Sequence, residues 1–223
     1  MSVIDDVRDT LAPPHPAGRP FIMGGLLALV LGLAVGVWLI WAGLAFTLFC
    51  LYFFRDPERV PPARPGVLVA PADGRIVAVG LAPPPQELGL GTQPRWKVSI
   101  FLSVLNVHVN RVPISGVVTR IAYHRGAFVS ASLDKASTDN ERNALAIRLS
   151  DGQEIAVVQI AGLIARRILC DVREGDAVTT GARFGIIRFG SRTDLYLPEG
   201  LRPLVEIGQT MVGGETVIAE MMP

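Results

Sequence analysis

Three histidines, two cysteines and a few well-placed Asp, Asn and Ser residues are the side chains here that could carry proton-transfer or covalent chemistry. A base working near neutral pH must be one of the histidines or a carboxylate. His15 lies among Pro13, Pro14 and Pro16 and reads as incidental. His108 sits in Asn106-Val-His-Val-Asn110, where strand alternation predicts Val107 and Val109 on one face and His108, Asn106 and Asn110 on the other. By itself that pattern suits a hydrogen-bonded structural histidine better than a catalytic one. His124, just before Gly126, is expected to be exposed. Asp73, in Ala72-Asp-Gly74, reads in isolation as a turn aspartate. Phe189-Gly190-Ser191-Arg192-Thr193-Asp194 offers a serine, a weak nucleophile unless a base activates it. No Gly-x-Ser-x-Gly elbow surrounds it, which disfavours an ordinary serine hydrolase. Cys50 and Cys170 are too few and too far apart for a disulfide scaffold or a metal cluster, so no metal is expected.

These groups need a scaffold, and the composition divides it in two. The 223 residues are 50% hydrophobic and 18% charged, with mean hydropathy +0.41 and a formal charge of +1. Such a chain is neither disordered nor built for nucleic acid. The apolar excess is concentrated in Pro20–Phe54, 35 residues without a charge. As one helix they would reach roughly 52 Å, well past the roughly 30 Å core of a bilayer. Either one long tilted span or a hairpin of two spans, breaking between Gly32 and Gly36, is expected, with the hairpin favoured. Asp5, Asp6 and Asp9 and the length of the run argue against a cleaved signal peptide. Arg55, Arg59 and Arg64 place the following domain on the cytoplasmic side of the cell membrane. The chain thus reads as a cytoplasmic arm (1–19), a membrane anchor (20–54) and a globular domain (55–223).

The globular part is expected to be mainly β, with few short helices. Val- and Ile-rich runs at Gly74–Gly80, Lys97–Leu102, Gly116–Ala122, Leu145–Leu149 and Ile155–Ile160 are punctuated by Gly, Pro, Asp and Asn. A weak internal echo links Val172–Gly181 with Ile207–Ile218, each a strand, a Gly-Asp or Gly-Gln turn and a strand. Pro71-Ala-Asp73-Gly74 is a further partner. Similar units build the barrel-sandwich domains of lipoyl and biotinyl carriers, but neither turn holds a modifiable lysine.

Taken in order, five motifs are more specific than any alone. They are Phe53-Phe54-Arg55-Asp56-Pro57 after the apolar run, Pro71-Ala-Asp73-Gly74, Asn106-Val-His108-Val-Asn-Arg111-Val-Pro113, Asn140-Glu141-Arg142-Asn143 and Phe189-Gly190-Ser191. From about residue 20 onward the chain resembles the phosphatidylserine decarboxylase proenzymes in their short bacterial form.

The resemblance implies a self-processing lyase that converts phosphatidylserine to phosphatidylethanolamine and CO2. Cleavage between Gly190 and Ser191 would give a β chain (1–190) and an α chain (191–223), a heterodimer from one precursor. Ser191 would become a covalent pyruvoyl group that forms a Schiff base with the head-group amine, so no external cofactor is implied. Asp73, His108 and Ser191 would form the processing constellation, and Arg111 and Arg192 are first candidates for holding the lipid phosphate. One departure stands out: many family members carry a second histidine three residues after the first, and here that position is Arg111. His108 is the favoured base, with His124 or Asp73 as other routes. The competing reading is a membrane-anchored β-sandwich adaptor without catalysis, which would remain an intact chain.

Overall fold

The computed structural model describes residues 11–126, 140–162, 167–188 and 191–221. They fall into two units, Met1–Glu58 and Arg59–Pro223.

In the first unit a 3-10 turn at Pro16–Gly18 leads into helix α1 (Arg19–Val35), and α2 (Val37–Phe53) follows. The apolar run is therefore a helical hairpin, broken at Gly36, whose φ of 149° suits a residue without a Cβ. The seventeen residues of each helix reach roughly 26 Å at 1.5 Å per residue. Small residues let the two backbones approach. A Cβ on Gly43 would lie 2.6 Å from the Leu29 nitrogen, one on Gly32 2.6 Å from Ile40, and one on Gly25 would strike Thr47. The large side chains point the other way: Leu27, Leu33, Trp38 and Trp41 are all more than half exposed. Glycine and threonine inside with leucine and tryptophan outside is the reverse of a hairpin packed for water. Pro16–Val35 is long and apolar enough to cross a membrane, and Val37–Phe53 is a shorter apolar helix.

The second unit has thirteen described strands. They are β1 (Val67–Val69), β2 (Gly74–Ala82), β3 (Arg95–Leu102), β4 (Val109–Arg111), β5 (Gly116–His124), β6 (Arg142–Arg148) and β7 (Glu154–Ala161). Then follow β8 (Ile168–Cys170), β9 (Ala177–Val178), β10 (Arg183–Ile187), β11 (Ser191–Tyr196), β12 (Thr210–Met211) and β13 (Val217–Glu220). An antiparallel eight-stranded sheet has the order β12-β2-β3-β11-β7-β6-β5-β9. Strands β4-β10-β8 form a second sheet, and β1 pairs with β13. The fold is mainly β, and the five apolar runs coincide with β2, β3, β5, β6 and β7. Strand β6 starts earlier than its apolar run because Asn143 finds a buried hydrogen-bond partner.

The faint internal echo is a structural repeat. Strands β1 and β2 with β12 and β13 match β4 and β5 with β9 and β10. In one half Gly208 N donates to Ile76 O (2.9 Å); in the other Gly175 N donates to Val118 O (2.8 Å). Both turn glycines have φ near 92°, 93° at Gly208 and 92° at Gly175. The halves interlock reciprocally: Val69 N donates to Pro113 O (2.9 Å) and Arg111 N to Pro71 O (2.8 Å). The main core lies between the sheets, with Leu68, Ile100, Leu145, Val157, Phe184 and Leu195 at its centre. A smaller cluster around Ala146, Val158, Ile160 and Tyr196, closed by Leu88 and Leu90, covers the other face of the large sheet.

Candidate active site

Ser191 is the first residue of β11, a central strand hydrogen-bonded on both sides, and it lies opposite Leu102 of β3 and Ala161 of β7. Strand alternation sends Ser191, Thr193 and Leu195 to the main core and Arg192, Asp194 and Tyr196 to the opposite face. Ser191 is fully buried, and its Oγ has no hydrogen-bond partner among the described residues. An unpaired buried hydroxyl costs about 1–3 kcal/mol, so native folds rarely keep one without a use. Gly190, the other half of the expected cleavage site, lies outside the described residues.

His108 precedes β4 and is also fully buried. The sequence pattern predicts a strand through Asn106, but the strand begins at Val109, because Asn106 closes a turn. Its Oδ1 accepts from Ser103 N (2.9 Å) and Ser103 Oγ (2.8 Å). The Asn106 carbonyl lies 2.9 Å from His108 Nδ1. A carbonyl only accepts, so Nδ1 carries the proton and Nε2 is the basic nitrogen. The His108 carbonyl accepts from Ile187 N (3.3 Å). Ile187 packs with Ala161, the β7 neighbour of Ser191, so His108 and Ser191 share one corner of the core.

The next motif braces that corner. Asn140 Nδ2 donates to Ala161 O (2.7 Å), and Ala161 N donates to Glu141 O (2.9 Å). Glu141 Oε1 accepts from Tyr123 OH (2.7 Å) and Ile168 N (3.2 Å). Donation to this carboxylate pushes the Tyr123 phenol above its ordinary pKa.

Asp73 sits at the end of the Pro71–Gly74 turn, half-buried. Its Oδ1 accepts from Gly213 N (2.7 Å) and its Oδ2 from Arg59 (3.1 Å). In the other half of the repeat, Ser115 Oγ accepts from Thr180 N (2.9 Å). Asp73 thus fills a turn-capping place shared by both halves, with an ion pair added. Arg111 is buried and donates to Gly181 O (3.1 Å). His124 ends β5 and is exposed, as expected.

Arg192 lies on the far face from the Ser191 side chain. It pairs bidentately with Asp194 (2.8 and 2.9 Å), and each residue is only 1% exposed. A cleft of about 310 Å³ opens on this face beside Asp194, Tyr196, Val158, Arg142 and Glu87. Burial, and secondarily the Asp194 charge, push the Tyr196 phenol well up. Burial alone would raise the Glu87 carboxyl, but its own backbone hydrogen bond and Arg142 hold it below its usual value.

Sequence reading named Asn110, Asn143 and Thr193 inside motifs but missed Gln159 and the bonds that join the four. Asn143, Gln159, Asn110 and Thr193 form a buried hydrogen-bonded chain across four strands. The available signal was an amide, Gln159, in the middle of an apolar strand.

The sequence pattern of the family described as Phosphatidylserine decarboxylase matches residues 46–219. A phosphatidylserine decarboxylase proenzyme of Granulibacter bethesdensis is 68% identical over 223 residues, covering 100% of this chain and 91% of the relative. Proteins of the same name from Gluconobacter oxydans (60% over 229 residues) and Gluconacetobacter diazotrophicus (59% over 225) each cover 99% of this chain and 100% of their own length. With both the pattern and full-length relatives in agreement, the chain belongs to the phosphatidylserine decarboxylase family.

Proposed function

We propose that the chain is a proenzyme that cuts itself between Gly190 and Ser191 and then decarboxylates phosphatidylserine to phosphatidylethanolamine. The observation that carries this reading is the buried Ser191 hydroxyl at the head of a central strand, without a hydrogen-bond partner among the described residues. A residue that must become a pyruvoyl group needs a hydroxyl committed to no bond, and among the described residues the Ser191 hydroxyl meets that requirement.

In self-processing, Ser191 Oγ attacks the Gly190 carbonyl while a base takes the hydroxyl proton, and the peptide C–N bond gives way to an ester. His108 fits the base, because its Nδ1 proton is spent on Asn106 and its lone pair is on Nε2. Loss of the Ser191 Cα proton then expels the Gly190 carboxylate and leaves dehydroalanine. Water hydrolyses its imine tautomer, releasing ammonia and leaving a pyruvoyl group at residue 191. That group, once formed, supplies an electron sink for the head-group carbon that loses CO2. His108, protonated at Nε2, is the first candidate to return a proton to that carbon. Asp73, the third expected member, holds its own turn through Gly213 and Arg59. Phosphate binding at Arg111 or Arg192 would have to compete with Gly181 O or Asp194, so these two remain the first side chains to test.

The hairpin serves as the membrane anchor, with Arg55, Arg59 and Arg64 favouring the cytoplasmic side. The two chains would stay together after cleavage, because β11 of the α chain is inserted between β3 and β7 of the β chain. Mass spectrometry of the purified protein tests the proposal. Two fragments are expected, the smaller lighter than a serine-headed 191–223 peptide by the mass of one ammonia. Ser191→Ala should remain a single chain of 23.9 kDa without decarboxylase activity. An intact wild-type chain would favour the adaptor reading instead.

A further inference from the structure

We infer that the buried amide chain Asn143–Gln159–Asn110–Thr193 is a positioning device that sets the His108 segment against the Ser191 strand for self-cleavage. The inference rests on the self-processing reading above. Asn143 Nδ2 donates to Gln159 Oε1 (2.9 Å), Gln159 Nε2 to Asn110 Oδ1 (2.8 Å) and Asn110 Nδ2 to Thr193 Oγ1 (3.5 Å). All four residues are 2% exposed or less. Every bond runs donor to acceptor in one direction, so each amide is fixed in orientation by its neighbours. The chain starts on β6, crosses β7, passes to β4 in the other sheet and ends on β11. Its last link joins Asn110, two residues past His108, to Thr193, two residues past Ser191 on the same face.

The repeat shows that the fold does not need this amide. Asn110 on β4 occupies the place of Leu68 on β1, which belongs to the main core. Asn110 lies opposite Gly185 of β10, and Leu68 opposite Ala219 of β13. One half of the repeat therefore closes with a leucine where the half beside His108 keeps a buried hydrogen-bonding side chain. A buried polar chain is costly unless complete, so its presence at this one position points to the geometry it fixes.

Two sets of variants of the full-length chain test this, read as the rate at which the intact precursor disappears. Thr193→Val keeps the shape but removes the acceptor; cleavage should slow on the order of tenfold, and Thr193→Ser should restore it. Gln159→Glu gives a sharper signature. A protonated carboxyl can accept from Asn143 and donate to Asn110 as the amide does, whereas the ionised form cannot donate. The described groups facing this position are Asn143 of β6, Thr193 of β11, Asn110 of β4 and the Gly185 backbone of β10, with the Cys170 thiol of β8 bonded to Asn143 behind them; burial pushes that thiol above its ordinary pKa, so it too is uncharged at acid and neutral pH. The variant-to-wild-type cleavage ratio should be near one in acid and fall on the order of tenfold or more as pH rises, a limb that a purely steric role would not create. If Gln159→Glu does not fold, as a melt would show, the Thr193 pair decides. Wild-type cleavage by Thr193→Val, equal slowing in Thr193→Val and Thr193→Ser, or a pH-independent ratio would overturn the inference. A wild-type chain that never cleaves would instead overturn the self-processing reading.

Discussion

Replacing Ser191 by alanine should do two opposite things, abolish self-cleavage and make the uncleaved protein more stable. The Ser191 Oγ is fully buried with no hydrogen-bond partner among the described residues, so its desolvation is uncompensated at a cost of about 1–3 kcal/mol. Deleting one oxygen leaves a void smaller than a methyl group, which returns less than about 1 kcal/mol. The net gain is about 1 kcal/mol, or about 2–4 °C in Tm for a chain of this size. Stability must be compared between uncleaved forms, so His108→Gln serves as the reference and is set against His108→Gln with Ser191→Ala, each melted as the full chain in detergent. Ser99 provides the control: its Oγ is also buried without a partner among the described residues, but it lies opposite Asp194 on the other face of the sheet. Ser99→Ala should raise Tm similarly and leave cleavage at the wild-type rate. A fall in Tm on removing the Ser191 hydroxyl would mean that it makes a native bond. Continued cleavage of Ser191→Ala would refute its role as nucleophile.

Other expectations follow from the same geometry. Arg192→Met strands the Asp194 carboxylate in a buried site and should cost about 3–5 kcal/mol in a denaturant melt, while Arg192→Met with Asp194→Leu should recover most of that loss. After cleavage the 1–190 and 191–223 chains should co-migrate in gel filtration until denaturant is added, because β11 is paired along its whole length with β3 and β7. Gly25→Cys and Thr47→Cys should cross-link readily across the hairpin, and adding Gly43→Leu should abolish the cross-link by forcing the helices apart. Membrane attachment should survive high salt, since it depends on burial of Pro20–Phe54 more than on Arg55, Arg59 and Arg64.

Periodicity made the skeleton legible. The five apolar runs became strands with nearly the expected ends, and the apolar stretch broke at Gly36, within the expected window. Ser191 was legible only through the company of other motifs, because a Gly-Ser pair by itself carries almost no information. Two readings needed coordinates. Arg192 was a first candidate for holding the lipid phosphate, and its buried pairing with Asp194 was not read, although the two-residue spacing already put both side chains on one strand face. The amide chain could not be read, because its links join residues 16, 49 and 83 positions apart. A polar residue in an apolar strand announces that it needs a partner without naming one.

The repeat offers a route to function that neither a motif nor a cavity supplies. Two halves of one chain solve the same folding problem, so positions where they differ in polarity are the ones the fold leaves free. Gly66, whose carbonyl accepts from Met221 N (2.8 Å), corresponds to His108, whose carbonyl accepts from Ile187 N (3.3 Å). Leu68 corresponds to Asn110 and Val69 to Arg111. The candidate site residues His108 and Arg111, and Asn110 between them, thus occupy places that the first half fills with small or apolar residues. It follows that Asn110→Leu, with Asn143→Leu, Gln159→Met and Thr193→Val to remove every stranded donor and acceptor of the chain, should fold at least as stably as the wild type. Replacing both sides of a buried hydrogen bond by apolar groups of similar shape is nearly neutral or stabilising, whereas Asn110→Leu alone would leave the Gln159 amide unsatisfied at about 1–3 kcal/mol. The quadruple variant should nonetheless accumulate as intact precursor. Recovery of wild-type cleavage in it would show that the amides serve the fold alone, and a quadruple variant much less stable than Asn110→Leu would show that the two halves are not interchangeable at these positions.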